Sequence, residues 1–341
     1  MYNCAIVGLG RIACGFDDKN YSSKIQTHAG AYIKNKKTKL IALCDVDEKK
    51  LVKYGKKYKI KNLYQNFEEM LVKENLDILS ICTHGDLHYP IVEKAAKSGV
   101  KAIFLEKPIS DSLHDAKRII DICKKNNVKL QIDHQRRFNK FYQHVRNFVN
   151  DKKFGKIKRI NSYYVNGIIN TGTHLMDFIR FMGGDFLEVE GKSSKFPCSI
   201  KNDLNIDGNF ILKNGVVGTI QTIDSKRFRI LEVDIIGENG RIVVDLTKSI
   251  ARTYLIESKN SNLVYNDLKE KILKIQNKKE DIVFGLENII SSLEKNVDLN
   301  CKGEDGYKSL ETCLAFLISS KKNGKKVPIP LDVNIHKFSK I

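Results

Sequence analysis

Five short apolar runs punctuate the first 135 residues: "NCAIVGLG", "LIALCDVD", "LDILSICTH", "VKAIFLEKP" and "VKLQIDHQ". Between them lie stretches with helical periodicity, among them "FEEMLVKEN", "YPIVEKAAKSG" and "SLHDAKRIIDICKKNN". Runs that are apolar at successive positions suit strands covered on both faces, and their alternation with helices predicts a parallel sheet flanked by helices. Ser112-Leu113-His114-Asp115 has a capping-box pattern and marks the start of one of those helices. Near residue 133 the pattern changes. "KIKRINSYYVNG", "GNFILKNGVVGTIQTID", "ILEVDIIGENGRIVVDL" and "ARTYLIES" read as longer, partly alternating strands. Asn214-Gly215 and Asn239-Gly240 are the dipeptides that tight hairpins favour, so this part predicts an antiparallel sheet. Helices follow at "DIVFGLENIISSLEKN" and "GYKSLETCLAFLISSKKNG". The expected division is a first α/β domain over 1–132 and a second, α+β domain with a large open, mainly antiparallel sheet over 133–341.

Length and composition agree with two domains and restrict the function. The 341 residues are 42% hydrophobic, enough for two cores. No stretch approaches the roughly 18 consecutive apolar residues of a membrane span. The opening "MYNCAIVGLG" has no basic n-region and no small-residue cleavage site, so a cytoplasmic protein without a membrane partner is expected. Eight cysteines without a CxxC pair, several inside apolar runs, read as buried thiols. The net charge of +19 comes mostly from lysines spread along the chain. With no recognition motif beside it, that charge predicts no nucleic-acid partner but stays compatible with an anionic substrate.

Candidate chemistry begins at Gly8-Leu9-Gly10-Arg11-Ile12-Ala13, a GxGxxA loop directly after the first strand. Glycines there let the backbone turn sharply and approach a pyrophosphate, which the next helix N-terminus receives. An acid closing the second strand, Asp45, suits ribose hydroxyls and repels a 2′-phosphate, which favours NAD over NADP. Asp45 lies farther from the glycines than the usual ~20 residues. The cause is "CGFDDKNYSSKIQTHAG", residues 14–30, an apparent insertion that either folds over the site or forms a surface loop. After the third strand, at a carboxyl end where ligands collect, stands Thr83-His84-Gly85-Asp86-Leu87-His88. Its H-x-D-x-H spacing matches a metal site, but the acid and second histidine serve equally as helix caps. No metal is expected. Thr83, His84 and His88 are taken as cofactor contacts.

Glu106-Lys107-Pro108 after the fourth strand resembles the EKP motif of the Gfo/Idh/MocA oxidoreductases. "GLGRIA", the strand-end "CD", "CTHGDLH", "HQRRF", "FGKI", "GTHLMDFIRFMGG" and "GEDGYKSLETCLAFLISS" follow in that family's order, over nearly the whole chain. The resemblance implies an N-terminal Rossmann domain binding NAD(P), with Gly8, Gly10, Arg11, Ile12, Asp45, Thr83, His84, His88, Glu106 and Lys107 at the cofactor. It implies a second domain for substrate and for assembly into a homodimer or homotetramer. The implied reaction is hydride transfer between nicotinamide and a secondary alcohol or ketone of a sugar or nucleotide-sugar, with surface-polysaccharide synthesis as one setting.

Lys107 matches the family's catalytic-site lysine and His174 its catalytic histidine. An imidazole with an ordinary pKa near 6.5 suits a hydroxyl proton. In "INTGTHLMD", Asn170 occupies the place of the family's usual aspartate; it can hydrogen-bond substrate or imidazole but supplies no charge. Asp177, one turn past His174, is structural or catalytic. Arg137, with Arg136 beside it, meets either an anionic substrate group or an acid of the chain. Tyr163 and Tyr164 alternate faces, and Tyr163 is placed with the substrate contacts. The family's Lys-Pro bond is often cis. Two further readings share these features: a nicotinamide-binding regulator without turnover, and an enzyme that recycles its cofactor to cleave or epimerise a glycoside.

Overall fold

The computed structural model of the chain describes residues 1–18, 25–256, 265–273 and 280–332. Two compact units emerge, residues 1–139 with 278–307 and residues 140–277 with 308–332.

In the first unit, β1 (Tyr2–Val7), β2 (Thr38–Cys44), β3 (Asn62–Tyr64), β4 (Ile78–Ile81), β5 (Ala102–Leu105) and β6 (Lys129–Ile132) form one sheet. Its order is β3-β2-β1-β4-β5-β6, and every neighbouring pair is parallel. All four residues of β4 and of β5 are buried, as strands covered on both faces require. The order reverses between β1 and β4, which opens a crevice at the carboxyl ends. Helices α1 (His28–Lys34), α2 (Glu48–Tyr58), α3 (Phe67–Lys73), α4 (His88–Lys97) and α5 (Leu113–Lys125) connect the strands. Ser112 caps α5 as its sequence pattern predicts, its Oγ accepting from the Asp115 N–H at 3.0 Å.

The long spacing between the glycines and Asp45 has a structural cause. His28 N–H donates to the Ile12 carbonyl at 3.2 Å and Ala29 N–H to that of Ala13 at 3.0 Å. Those are the bonds a continuous helix would make four residues apart, so the ladder continues from Gly15 to His28 as if the twelve residues 16–27 were a detour in the sequence. Leaving out these twelve residues brings Asp45 back to about the usual distance from Gly10. The described part of the detour binds to α2. Asp18 accepts from Lys53 at 2.6 Å, Lys57 at 2.8 Å and the Tyr54 hydroxyl at 2.8 Å. Burial pushes the Asp18 carboxyl up, but these three donors outweigh it and bring its pKa to about 2. Residues 19–24 of the predicted insertion lie outside the described residues.

The second unit holds α6 (Lys140–Val149), β7 (Ile157–Tyr164), α7 (Gly172–Gly183), β8 (Phe186–Ser193), β9 (Ile206–Leu212), β10 (Val217–Thr222), β11 (Glu232–Gly237), β12 (Gly240–Asp245), β13 (Ile250–Ile256) and β14 (Leu268–Leu273). Helix α8 (Asp281–Lys295) groups with the first unit, where Gln131 Nε2 donates to the Gly285 carbonyl at 2.8 Å. Helix α9 (Gly303–Lys321) and β15 (Val327–Pro328) complete the described chain. The nine-stranded sheet runs β14-β13-β12-β11-β7-β10-β9-β8-β15. β7 and β10 are parallel, and the other neighbouring pairs are antiparallel. Val233, Ile235, Ile242 and Val244 are wholly buried, while their chain neighbours are half-buried or exposed, the period-2 signature of a sheet with one covered face. Both Asn-Gly pairs stand between paired strands, but neither asparagine adopts a left-handed backbone. At the first, only Gly215 does, with φ +83°. The turns are therefore not the two-residue type the dipeptides favour.

Candidate active site

The carboxyl edge of the parallel sheet collects most of the residues singled out from sequence. Directly after β1, Gly8 has φ +86°, and a Cβ on it would lie 2.9 Å from the Cys82 carbonyl carbon and oxygen. A side chain is thus excluded by both backbone conformation and β4's end. Gly10 differs. Among the described residues, a Cβ there would have nothing within 4 Å. None of those residues demands a bare backbone at Gly10, so the open space in front of it suits a group that binds there. Asp45, 8% exposed, accepts from the Leu9 N–H through Oδ2 at 2.6 Å and from the Asp47 N–H through Oδ1 at 2.9 Å. These bonds tie the acid to the glycine loop. Lys50 Nζ stands 3.7 Å from Asp45 Oδ2. The Arg11 guanidinium lies over the Phe16 ring at 4.7 Å, and the Ile12 carbonyl is the one that receives His28.

The carboxyl end of β4 adds Thr83, whose Oγ1 is buried without a hydrogen-bond partner. Its neighbour His84 is exposed. His88 is wholly buried, with Nδ1 3.1 Å from the Ile109 carbonyl and Nε2 3.1 Å from that of Thr83. Burial lowers its pKa despite those carbonyls. The histidines of H-x-D-x-H thus part company, one facing solvent and one holding the loops that carry Thr83 and Ile109. An open glycine loop, a loop-tethered acid and an unpartnered hydroxyl on one strand edge fit a dinucleotide.

Glu106 and Lys107 follow β5, and the Lys107-Pro108 bond is cis. Glu106 Oε2 accepts from the Lys107 N–H at 3.3 Å. Its other oxygen, Oε1, lies 3.2 Å from His28 Nε2, and Asp133 Oδ2 lies 3.6 Å from the same nitrogen. His28 Nδ1 meets Ser80 Oγ at 2.8 Å, and the Tyr32 hydroxyl meets that oxygen at 2.7 Å. Neither His28 nor Asp133 is evident as functional from sequence. Asp133 carries the weaker of the missed signals, an acid closing the run "VKLQID", whereas His28 is a lone histidine beyond the detour.

Arg137 is buried at the start of the next segment and pairs with Asp305, Nη2 to Oδ1, at 3.1 Å. Of its two expected partners, this is the acid of the chain.

His174 belongs to the second unit. There β7 ends at Tyr164, and a single wide turn, Gly167–Thr171, leads into α7. Asn166 (φ +63°) and Gly167 (φ +86°) make the bend. Asp203 holds it. Its carboxylate accepts from the Ile169 N–H at 3.1 Å, the Asn170 N–H at 2.8 Å and the Leu204 N–H at 2.8 Å. A Cβ on Gly167 would fall on that carboxylate, so the glycine is required for Asp203 to reach the turn. Asn170 Nδ2 donates to the Asn166 carbonyl at 3.2 Å. Asp177 is buried and accepts from Ser309 Oγ at 3.3 Å. Tyr164 is wholly buried, its hydroxyl donating to the Ile206 carbonyl at 2.8 Å, whereas Tyr163 is 39% exposed on the opposite face.

Residues 2–134 match the oxidoreductase family with an NAD-binding Rossmann fold. That N-terminal part of the chain belongs to the Gfo/Idh/MocA oxidoreductase family. Among the relatives of this chain, D-apiose dehydrogenase of Paraburkholderia graminis is 27% identical over 209 residues, 56% of this chain and 54% of that protein. The match therefore spans about half of that relative's length. Myo-inositol 2-dehydrogenase of Thermotoga maritima is 25% identical over 232 residues, 60% of this chain and 67% of that one. The fold is shared with the WlbA dehydrogenase of Bordetella pertussis, solved with NADH and UDP-GlcNAcA, at a TM-score of 0.78 and 19% identity over 97% of this chain and 99% of that one. Among the described residues, no helix is long and apolar enough to cross a membrane.

Proposed function

We propose that this oxidoreductase transfers a hydride between NAD and a secondary alcohol or ketone of a sugar or nucleotide-sugar. One observation carries the reading: the open glycine loop, Asp45, Thr83 and Glu106-Lys107 stand together on the carboxyl edge of one parallel sheet. Bound NAD would supply the hydride acceptor. Gly8 and Gly10 would admit its pyrophosphate, Asp45 would receive ribose hydroxyls, and Thr83 would offer its spare hydroxyl. His174 takes the alcohol proton in oxidation and returns it in reduction. Lys107 stabilises the negative charge that develops on the same oxygen. Asn170 and Tyr163 are assigned to substrate recognition. Arg137, already paired, would meet substrate only by sharing Asp305 or releasing it. The named substrates of the apiose and inositol dehydrogenases support a polyol or sugar, and the UDP-GlcNAcA bound to WlbA supports a nucleotide-sugar. Surface-polysaccharide synthesis is the setting we assign to it. A cytoplasmic homodimer or homotetramer completes the proposal.

The test is NADH formation with NAD and a panel of hexoses, inositols and nucleotide-sugars, with Lys107→Ala as control. A signal from one class, lost in the control, supports the reading. NADH binding without turnover in either direction, with keto-sugars included, would replace it with a regulator.

A further inference from the structure

His28, Glu106 and Asp133 form the one group of three acid, histidine or cysteine side chains among the described residues whose ligand-type atoms lie within 4.8 Å of one another. His28 comes from the first residue of α1, Glu106 from the end of β5 and Asp133 from the end of β6. His28 is 1% exposed, Asp133 1% and Glu106 8%. Two ionised carboxylates cannot share such a site uncompensated, because each loses its hydration there. The geometry places an imidazole against both, where it can hold the compensating proton. His28 Nδ1 is taken up by Ser80 Oγ and the Phe104 ring packs edge-on at 4.6 Å, so the imidazole is fixed with Nε2 toward both acids. The acids divide their remaining contacts. Glu106 Oε2 receives the Lys107 N–H, and Asp133 Oδ2 receives Gln135 Nε2 at 3.2 Å. Asp133 Oδ1 is buried without a partner.

We propose that His28 is a positioning residue: as an imidazolium between Glu106 and Asp133 it fixes the Glu106 carboxylate, which holds the backbone of Lys107, so that the proton count of this buried trio governs the cofactor half of the site. The detour over residues 16–27 gains a meaning from this. Its return must restore the helix ladder at His28 and Ala29 for the imidazole to reach β5 and β6.

The groups facing His28 are Cys82 at the end of β4, Glu106, Asp133, Cys14, and Tyr32 through Ser80. Burial lowers the His28 pKa, but its neighbours more than reverse this and hold it well above the ordinary value. Cys82, whose own thiol is pushed up by burial, leads that support, and the bonds to Asp133 and Glu106 add to it. Asp133, although buried, is held below its ordinary pKa, with His28 the leading cause. Burial and the charge on Asp133 raise Glu106 to about 7 despite His28. Through neutrality the member that changes charge is therefore Glu106, the one bonded to Lys107.

This inference rests on the proposed nucleotide site only for its second readout. The first is the ring-¹⁵N titration of the eight histidines in the full chain, with the His28 signal assigned by its loss in His28→Asn. His28 should stay an imidazolium from about pH 5.5 to 8. In Glu106→Gln it should titrate at lower pH than in the parent chain. A neutral ring near pH 7 would overturn the proposal, as would stoichiometric zinc or manganese in the purified protein, which would make the trio a metal site. The second readout is NADH affinity against pH by fluorescence. A step near pH 7 is expected. It should vanish in Glu106→Gln and move up by about one pH unit in His28→Asn, because the anionic form loses its partner cation. An unmoved step in a folded His28→Asn reduces His28 to a core residue and sinks the idea. If His28→Asn does not fold, the Glu106→Gln titration decides. Failure of NADH to bind would count against the nucleotide site, and the ring titration would then decide the role of His28 by itself.

Discussion

Replacing Asp203 by alanine isolates what holds the His174 turn. The carboxylate takes the N–H groups of Ile169 and Asn170, two residues of a turn whose carbonyl and amide directions do not suit an ordinary helix. Ile169 is 6% exposed, so its orphaned N–H costs on the order of 1–3 kcal/mol. Asn170 is half-buried and water can replace part of its bond, so its share is smaller. A loss of about 2–3 kcal/mol follows, worth about 5–10 °C in melting temperature for a unit of this size. Burial raises the Asp203 carboxyl above its ordinary pKa, more than the backbone N–H donors lower it. A raised pKa stabilises the fold below the unfolded value of 3.8 and loses that share as pH rises through the folded value. The alanine penalty should therefore be larger near pH 4 than at pH 7. Asp203→Asn, which keeps an acceptor without the charge, should cost less than alanine at pH 7. Turnover should fall about 10–100-fold in the alanine variant through misplacement of His174. NADH affinity, which belongs to the other unit, should hold within about twofold, well under one tenfold step. The measurements are scanning calorimetry at two pH values and NADH titration. A melting temperature unchanged at both pH values would refute the reasoning, because the turn would then be stable without its acid.

The two glycines of the loop should separate folding from binding. Gly10→Val should fold with a near-parent melting temperature and lose NADH binding, since its side chain points into open space, whereas Gly8→Ala should lower the melting temperature itself. Binding retained in Gly10→Val would remove the pyrophosphate from that space. Deleting residues 16–27 should join Gly15 to His28 in helical register and preserve NADH binding, with a small loss of stability from the surface pairs of Asp18. Those pairs depress the Asp18 pKa, so their contribution is present above pH 3.8 and lost as pH falls toward 2, and the deletion should erase that part of the acid limb. A deletion variant that unfolds at neutral pH would show that the detour is part of the core.

What was readable in the sequence depended on the range of the interaction. The strands β4 and β5 announced themselves because a doubly covered strand must be apolar throughout, and the Ser112 cap because it acts over three residues. The glycine loop and Asp45 were legible through the chemistry of one ligand, although the detour obscured their spacing. His28, Asp133 and Asp203 were not legible. Each acts on a residue distant in the chain, His28 on Glu106 across 78 positions and Asp203 on Asn170 across 33, and no local pattern records such a pairing. The same limit applies to Arg137, where sequence left an anionic substrate and an acid of the chain as equals until Asp305 appeared at 3.1 Å. The two Asn-Gly pairs marked the antiparallel hairpins but not their turn type, because neither asparagine takes the left-handed backbone that a two-residue turn requires.

Asn170 now reads differently from a simple loss of charge. A carboxylate does stand at this turn, but it comes from Asp203 and reaches the backbone of residue 170 instead of extending from its side chain. The negative charge therefore serves the amides of the turn, while the Asn170 side chain donates back to the Asn166 carbonyl. Restoring the family's acid by Asn170→Asp would put two carboxylates on adjacent sides of one half-buried turn and remove the donor that the Asn166 carbonyl uses. Like charges so placed cannot both stay ionised at ordinary pKa values. The substitution that looks like a repair should thus destabilise the turn, unless Asp203 is changed with it. The non-additivity of the two single variants and the Asn170→Asp/Asp203→Asn double variant measures the coupling directly.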